Sequence, residues 1–283
     1  MIGTALCQRF EKNSIPHLQL SRNPSGSSKK LVYWNPEEKV LEHEKLREVD
    51  TVIHLAGENV GKRWTHNTRK KILSSRSDSS RFLFEKLAAQ DSPPKTLIAS
   101  SAIGIYGYKN STQFDEESPR GNGFLADVVE AWEESAQPLK DVGCRVILMR
   151  QGLVLSPKGG ALARMLPFFR FGLGGTLGSG QQMMSWIGME DQIRAILFFL
   201  EDDTQSGVYN LVSPKPVCNI EFTAILGWVL KRPTLFPVPA LALRAVFGEM
   251  AKQTMLASQH VIPKKLLQAG FEFKYPELEQ ALE

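Results

Sequence analysis

The sequence predicts an α/β fold, with a doubly wound parallel sheet in its first half and a smaller, mostly helical lobe after it. Three observations carry this. The strand candidates Asp50–Ala56, Lys95–Ser101 and Arg145–Leu155 are continuous apolar runs rather than alternating ones, as strands covered on both faces are. Helix-like stretches at Asn67–Ala89 and Gly123–Ala136 separate them, and strands alternating with helices build parallel sheets. A chain of 283 residues, 42% hydrophobic and 23% charged, has ordinary globular composition, which excludes disordered and fibrous classes and suits one large domain or a domain plus a lobe.

The elements follow in order. Met1–Phe10 reads as a helix, with Ile2, Leu6 and Phe10 near i, i+4 spacing. His17–Ser21 is a short strand, followed by the strands and helices above. After Leu155 the texture changes: a helix at Ala161–Phe171, a glycine-rich loop at Gly172–Gly180, a helix at Glu190–Leu200 and a strand at Val208–Val212. Proline-punctuated helices are expected at Asn219–Leu230, Pro239–Phe247, Glu249–Gln259 and Pro263–Ala269. This places a sheet domain at 1–160 and a substrate-side region at 161–283, of which about 235–282 is distinct in texture.

Several functions are excluded or unsupported. The longest apolar stretches, such as Ala195–Leu200, fall far short of the roughly 18–20 residues of a membrane span. No signal segment opens the chain, and three scattered cysteines, Cys7, Cys144 and Cys218, do not form a disulfide framework. Both points lead to the expectation of a soluble, intracellular protein. A net charge of +4 implies neither nucleic acid nor membrane as a partner. Gly57 and Gly61 fail the P-loop spacing, no G-x-S-x-G elbow occurs, and the five histidines show no ligand spacing, so no metal is expected.

Some residues keep two readings. His54 lies in an apolar strand and reads as a core histidine. The glycine-rich loop is either a mobile connection or a cover over a substrate. The basic run from Lys62 to Arg81 is either a solvated helix face or a patch for a phosphorylated cofactor. Arg22, at the end of the His17–Ser21 strand, is either a surface residue or the partner of a 2′-phosphate. An acidic residue at this point of a dinucleotide fold would hold the ribose hydroxyl instead.

Longer segments carry a resemblance. LSRNP (20–24), HLAGENV (54–60), SSAIGIYG (100–107), MRQGLVL (149–155), LGGTLGSGQQMMSWIGMEDQIRA (173–195), GVYNLVSPKPVCNIEF (207–222) and ASQHVIPKKLLQAGFEFKYPELEQAL (257–282) resemble the short-chain dehydrogenase/reductase superfamily of the extended or atypical type. More closely, they resemble the SDR39U1-type, NAD(P)-dependent epimerase-like family, whose C-terminal part is of the DUF1731 type. The resemblance spans essentially the whole chain. It implies a Rossmann-like fold and NADP as cofactor. Ser21 and Arg22 would hold the ribose phosphate, Leu55 and Ala56 would line the cofactor through their backbone, and Arg76 and Lys71 would lie near its phosphates. Val154 would face the nicotinamide end. Gly3 matches the last glycine of the family's phosphate-binding turn, so the sheet is expected to lack its first strand, as in a truncated chain with poor stability and weak cofactor affinity. Ser101 and Tyr106 fall in the superfamily's catalytic serine region.

The superfamily's Tyr-x-x-x-Lys pair is absent, since none of the five tyrosines is followed four residues on by lysine. Ser101, Tyr106 and Glu133 are the candidates to replace it. Two functions remain: an NADP-dependent oxidoreductase or epimerase-like enzyme of unknown substrate, or an NADP(H)-binding sensor or interaction protein without turnover.

Overall fold

The structure is a computed structural model that describes residues 1–23 and 30–283, with residues 109–111 described by backbone alone. Helix α1 (Ile2–Lys12) leads to β1 (Gln19–Ser21), β2 (Leu31–Asn35) and β3 (Val40–Leu41), which form one small sheet in which β1 and β2 run parallel. Strand β4 (Thr51–His54) is followed by α2 (His66–Ser74) and α3 (Ser77–Ala88), then β5 (Thr96–Ala102) and β6 (Lys109–Phe114). Next come α4 (Phe124–Glu134), α5 (Gln137–Asp141), β7 (Arg145–Gln151), β8 (Leu153–Leu155) and α6 (Gly160–Arg170). The lobe contributes β9 (Met183–Met184), β10 (Trp186–Gly188), α7 (Met189–Glu201), β11 (Gly207–Leu211) and β12 (Val217–Cys218). It ends with α8 (Asn219–Leu230), α9 (Ala240–Phe247), β13 (Ser258–Val261), α10 (Lys264–Gln268) and α11 (Leu278–Leu282).

The main sheet is parallel, in the order β11-β7-β5-β4. Its central strands are apolar on both faces because helices cover both. Ile98, Ile147 and Met149 pack under α1 and α7, with Leu6 and Phe10 supplying the buried i, i+4 pair of α1. Leu97, Val146 and Leu148 pack on the other side against α3 and α5. The strand β1 lies in the smaller sheet and is not paired with β4.

Three expectations are corrected. The run Asn67–Ala89 is two helices, broken where Ser75 caps α2 and Arg76 precedes α3. The run Arg145–Leu155 is two strands. At Gly152 the chain leaves the main sheet, and Leu153 N donates to Ser185 O at 2.9 Å to begin pairing with β10. A Cβ at Gly152 would lie 2.5 Å from that carbonyl oxygen, so the crossing admits only glycine. The helix expected at Glu249–Gln259 is instead a short π-type turn at Ala251–Met255 followed by β13, which pairs in parallel with β6. The C-terminal region thereby docks on the turn after β5, where Gln259 Nε2 donates to Ile103 O at 3.0 Å and Gly107 O at 2.6 Å.

Among the described residues no helix is long and apolar enough to cross a membrane, and no cluster of His, Cys, Asp and Glu could hold a metal ion. The three cysteines are free thiols.

Candidate functional site

In a parallel sheet the carboxyl ends of the strands face the loops that bind ligands. Several sequence candidates meet there. A Cβ at Gly3 would touch Leu55 Cδ1 at 3.9 Å, and Leu55 and Val154 pack against the same apolar cluster as α1. Gly159 and Gly160, which open α6, lie against the Met1 side chain. The start of α1, the end of β4 and the end of β8 therefore share one neighbourhood. Ala56 is half-buried in the same turn.

Arg76 borders this turn. Its guanidinium lies against Gly57 and 5.0 Å from the centre of the Trp132 ring. It donates to Ile72 O at 3.3 Å and forms no ion pair with a carboxylate among the described residues. Burial lowers its pKa to about 10, partly opposed by the charge of Glu58. Glu58 is bound instead to Lys62 at 2.8 Å, which holds its carboxyl below the usual range, with Lys71 adding a weaker pull from the exposed face of α2. Ser21 and Arg22 end β1, in the other sheet. Ser21 Oγ accepts from Asn23 N at 3.1 Å, and Arg22 is exposed. Pro24, the last residue of the Leu20–Pro24 segment, lies outside the described residues.

The catalytic candidates also come together, but as a closed network. Cross-strand register sets Ser101, Arg150 and Asn210 side by side on one face of the sheet. Glu133 reaches them from α4, and Tyr106 from the turn after β5. Arg150 binds Glu133 through two hydrogen bonds of 2.8 Å. Ser101 Oγ donates to Glu133 Oε1 at 2.5 Å, and Tyr106 Oη donates to Asn210 Oδ1 at 2.8 Å while accepting from Arg150 at 3.1 Å. Ser101 is 1% exposed and Tyr106 3%. Burial pushes the Tyr106 phenol up, against a smaller opposing effect of Arg150. The hydroxyls are thus committed to partners within the protein. Sequence reasoning missed Arg150 and Asn210. The available signal was a charged and an amide residue inside apolar strand runs, since buried polar groups require partners.

The donor set suits an anionic ligand. A half-buried arginine against Gly57, in no ion pair among the described residues, leaves positive charge beside the end of β4. A parallel sheet with these features defines a Rossmann-like α/β protein of the class that takes a nucleotide cofactor at its strand ends.

Comparison with known proteins makes this particular. Residues 1–211 match the NAD dependent epimerase/dehydratase family, and residues 238–283 match a domain of unknown function, DUF1731. The chain belongs to that epimerase family and carries the DUF1731 domain at its C-terminal end. It is 40% identical over 283 residues to an epimerase family protein of Mycobacterium bovis, covering all of this chain and 93% of that one. The crystal structure of human epimerase family protein SDR39U1 (isoform 2) with NADPH superposes with a TM-score of 0.89 at 32% identity, covering all of this chain and 94% of that one. A UDP-glucose 4-epimerase of Thermotoga maritima shares the fold, with a TM-score of 0.78 at 16% identity over all of this chain and 93% of that one.

Proposed function

We infer that this chain binds NADP(H) and acts as an NADP-dependent oxidoreductase or epimerase-like enzyme on a small molecule. The observation that carries the reading is Arg76, a half-buried guanidinium in no ion pair among the described residues, beside the glycine turn at the end of β4. Arg76 would hold a cofactor phosphate with Lys71 nearby, and Ser21 and Arg22 would hold the 2′-phosphate that separates NADP from NAD. Leu55 and Ala56 would contact the cofactor through the backbone, with Gly3 allowing close approach and Val154 bounding the nicotinamide end. The NADPH in the human relative supports the choice of cofactor. When bound, the cofactor supplies or accepts a hydride, and the protein's part is to orient it and exclude water.

One observation favours the second reading, an NADP(H)-binding protein without turnover. Ser101, Tyr106 and Glu133 are engaged with Arg150 and Asn210, which suits a brace under the strand ends better than a proton relay.

Titration with NADPH and NADH, followed by thermal melting, tests cofactor choice. Ligand at 100 times its Kd should add about 2.7 kcal/mol of stability. Saturable binding that prefers NADPH and weakens in Arg76→Met supports the reading, and binding of neither nucleotide refutes it. Tyr106→Phe then separates the two functions: in an enzyme that uses the phenol, cofactor oxidation in a substrate screen collapses while NADPH affinity holds.

A further inference from the structure

The C-terminal lobe carries a surface unlike the rest of the molecule. Phe171 is 81% exposed, Leu235 74% and Leu241 79%, and Leu173, Trp228 and Phe236 are also open to solvent. Isolated exposed apolar residues are ordinary, but a contiguous group marks an interaction site.

These residues are contiguous because two loops run side by side. Arg232 Nε donates to Arg170 O at 2.9 Å, and Val238 N donates to Thr176 O at 2.8 Å. Gly178 N donates to Val238 O at 2.9 Å. Gly172 faces the Pro233 ring, and Gly175 lies against the Phe236 carbonyl. The end of α6, the loop after α8 and the start of α9 thus form one face.

Its charge is one-sided. Residues 157–189 and 222–248 contain six Lys and Arg and no Asp or Glu, while the remaining residues hold 28 cations against 30 acids. Three acids border it: Glu221 in the first turn of α8, Glu249 just after α9, and Glu283, which lines one cavity with Trp228, Lys231 and Arg232. The cations flank the apolar tips in sequence: Arg170 beside Phe171, and Lys231 and Arg232 before Leu235. A second copy of the chain would set two like-charged faces together, which is unfavourable. Aromatic and aliphatic tips among basic side chains suit the boundary between lipid headgroups and acyl chains.

We propose that this face, built from the end of α6, the loop after α8 and α9, docks reversibly on an anionic lipid bilayer. The tips enter the headgroup boundary while Arg170, Lys231, Arg232 and Arg244 meet lipid phosphates.

The test is co-sedimentation of the full chain with vesicles of mixed phosphatidylglycerol and phosphatidylcholine, and of phosphatidylcholine alone. Binding is expected to the mixed vesicles and to weaken in high salt. Arg170→Gln with Lys231→Gln should reduce it about tenfold or more, as should Phe171→Ser with Leu235→Ser, both retaining the native melting transition. If the second pair fails to fold, Leu241→Ser with Val246→Ser, on α9, takes its place. Absence of binding to mixed vesicles overturns the proposal. Binding that survives every apolar substitution also overturns it, because charge alone then suffices. Dimerisation in solution that these substitutions abolish, without vesicle binding, assigns the face to a second copy instead.

Discussion

Breaking the ion pair between Arg150 and Glu133 is expected to be the most damaging change in the molecule's polar interior. The two side chains are 11% and 14% exposed and share two hydrogen bonds of 2.8 Å. Glu133 also accepts from Ser101, and Arg150 donates to Tyr106. Arg150→Met leaves the Glu133 carboxylate buried with only the Ser101 hydroxyl. Removing one partner of a buried pair costs about 3–5 kcal/mol, because the other charge stays desolvated. At roughly 2 °C per kcal/mol for a chain of this size, the melting temperature should fall by about 6–10 °C. Glu133→Leu should fall by a comparable amount, since it strands Arg150. The double variant Glu133→Leu with Arg150→Met should recover most of the loss, because it leaves no charge uncompensated. Urea denaturation of the four proteins closes the thermodynamic cycle. Single-variant costs below about 1 kcal/mol, or additive losses in the double variant, would refute the view that this network is a closed structural brace.

Other outcomes follow from the same geometry. His54 is buried between Trp34 and Phe84, neither ring nitrogen has a partner among the described residues, and burial lowers its pKa to about 4. It is neutral when folded and protonates near 6.5 when unfolded, so the unfolded chain binds more protons between those values and stability falls as pH drops through that window. Denaturation at pH 7 and pH 5 should show that His54→Leu loses on the order of 2 kcal/mol less than the parent between them; equal slopes would mean the imidazole is not the group responsible. Arg76→Met should weaken NADPH binding about tenfold or more, since it removes a charged donor to phosphate, without lowering stability in the absence of nucleotide. In a fluorescence titration, Arg22→Asp should shift preference from NADPH toward NADH, and an unchanged ratio would remove Arg22 from the cofactor site. Gly152→Ala should cost about 1–3 kcal/mol in a thermal melt, because the new Cβ meets the Ser185 carbonyl 2.5 Å away.

What could be read from the chain alone was local or compositional. The apolar runs at Lys95–Ser101 and Arg145–Leu155 announced doubly covered strands, because every residue of such a strand faces a helix layer, though the second run proved to be two strands. The i, i+4 pair Leu6 and Phe10 announced α1, and the long matching segments announced the family. Arg22 was nominated by its place at the end of a strand, and Leu55 and Arg76 by the family resemblance. Tertiary structure decided what those residues touch. Gly152 looked like one more residue in a strand until β10 arrived beside it, and only the Ser185 carbonyl explains why it has no side chain. Glu249–Gln259 read as helix, yet β6 offers the end of that segment an unpaired edge, and backbone hydrogen bonding to the edge overrides local preference. Ser101, Tyr106 and Glu133 read as catalytic candidates, while the fold set Arg150 and Asn210 between them, partners separated in sequence by up to 104 residues. Periodicity reports only what neighbours along the chain share. The partner of a buried charge is chosen by sheet register, and register exists only once the strands have packed.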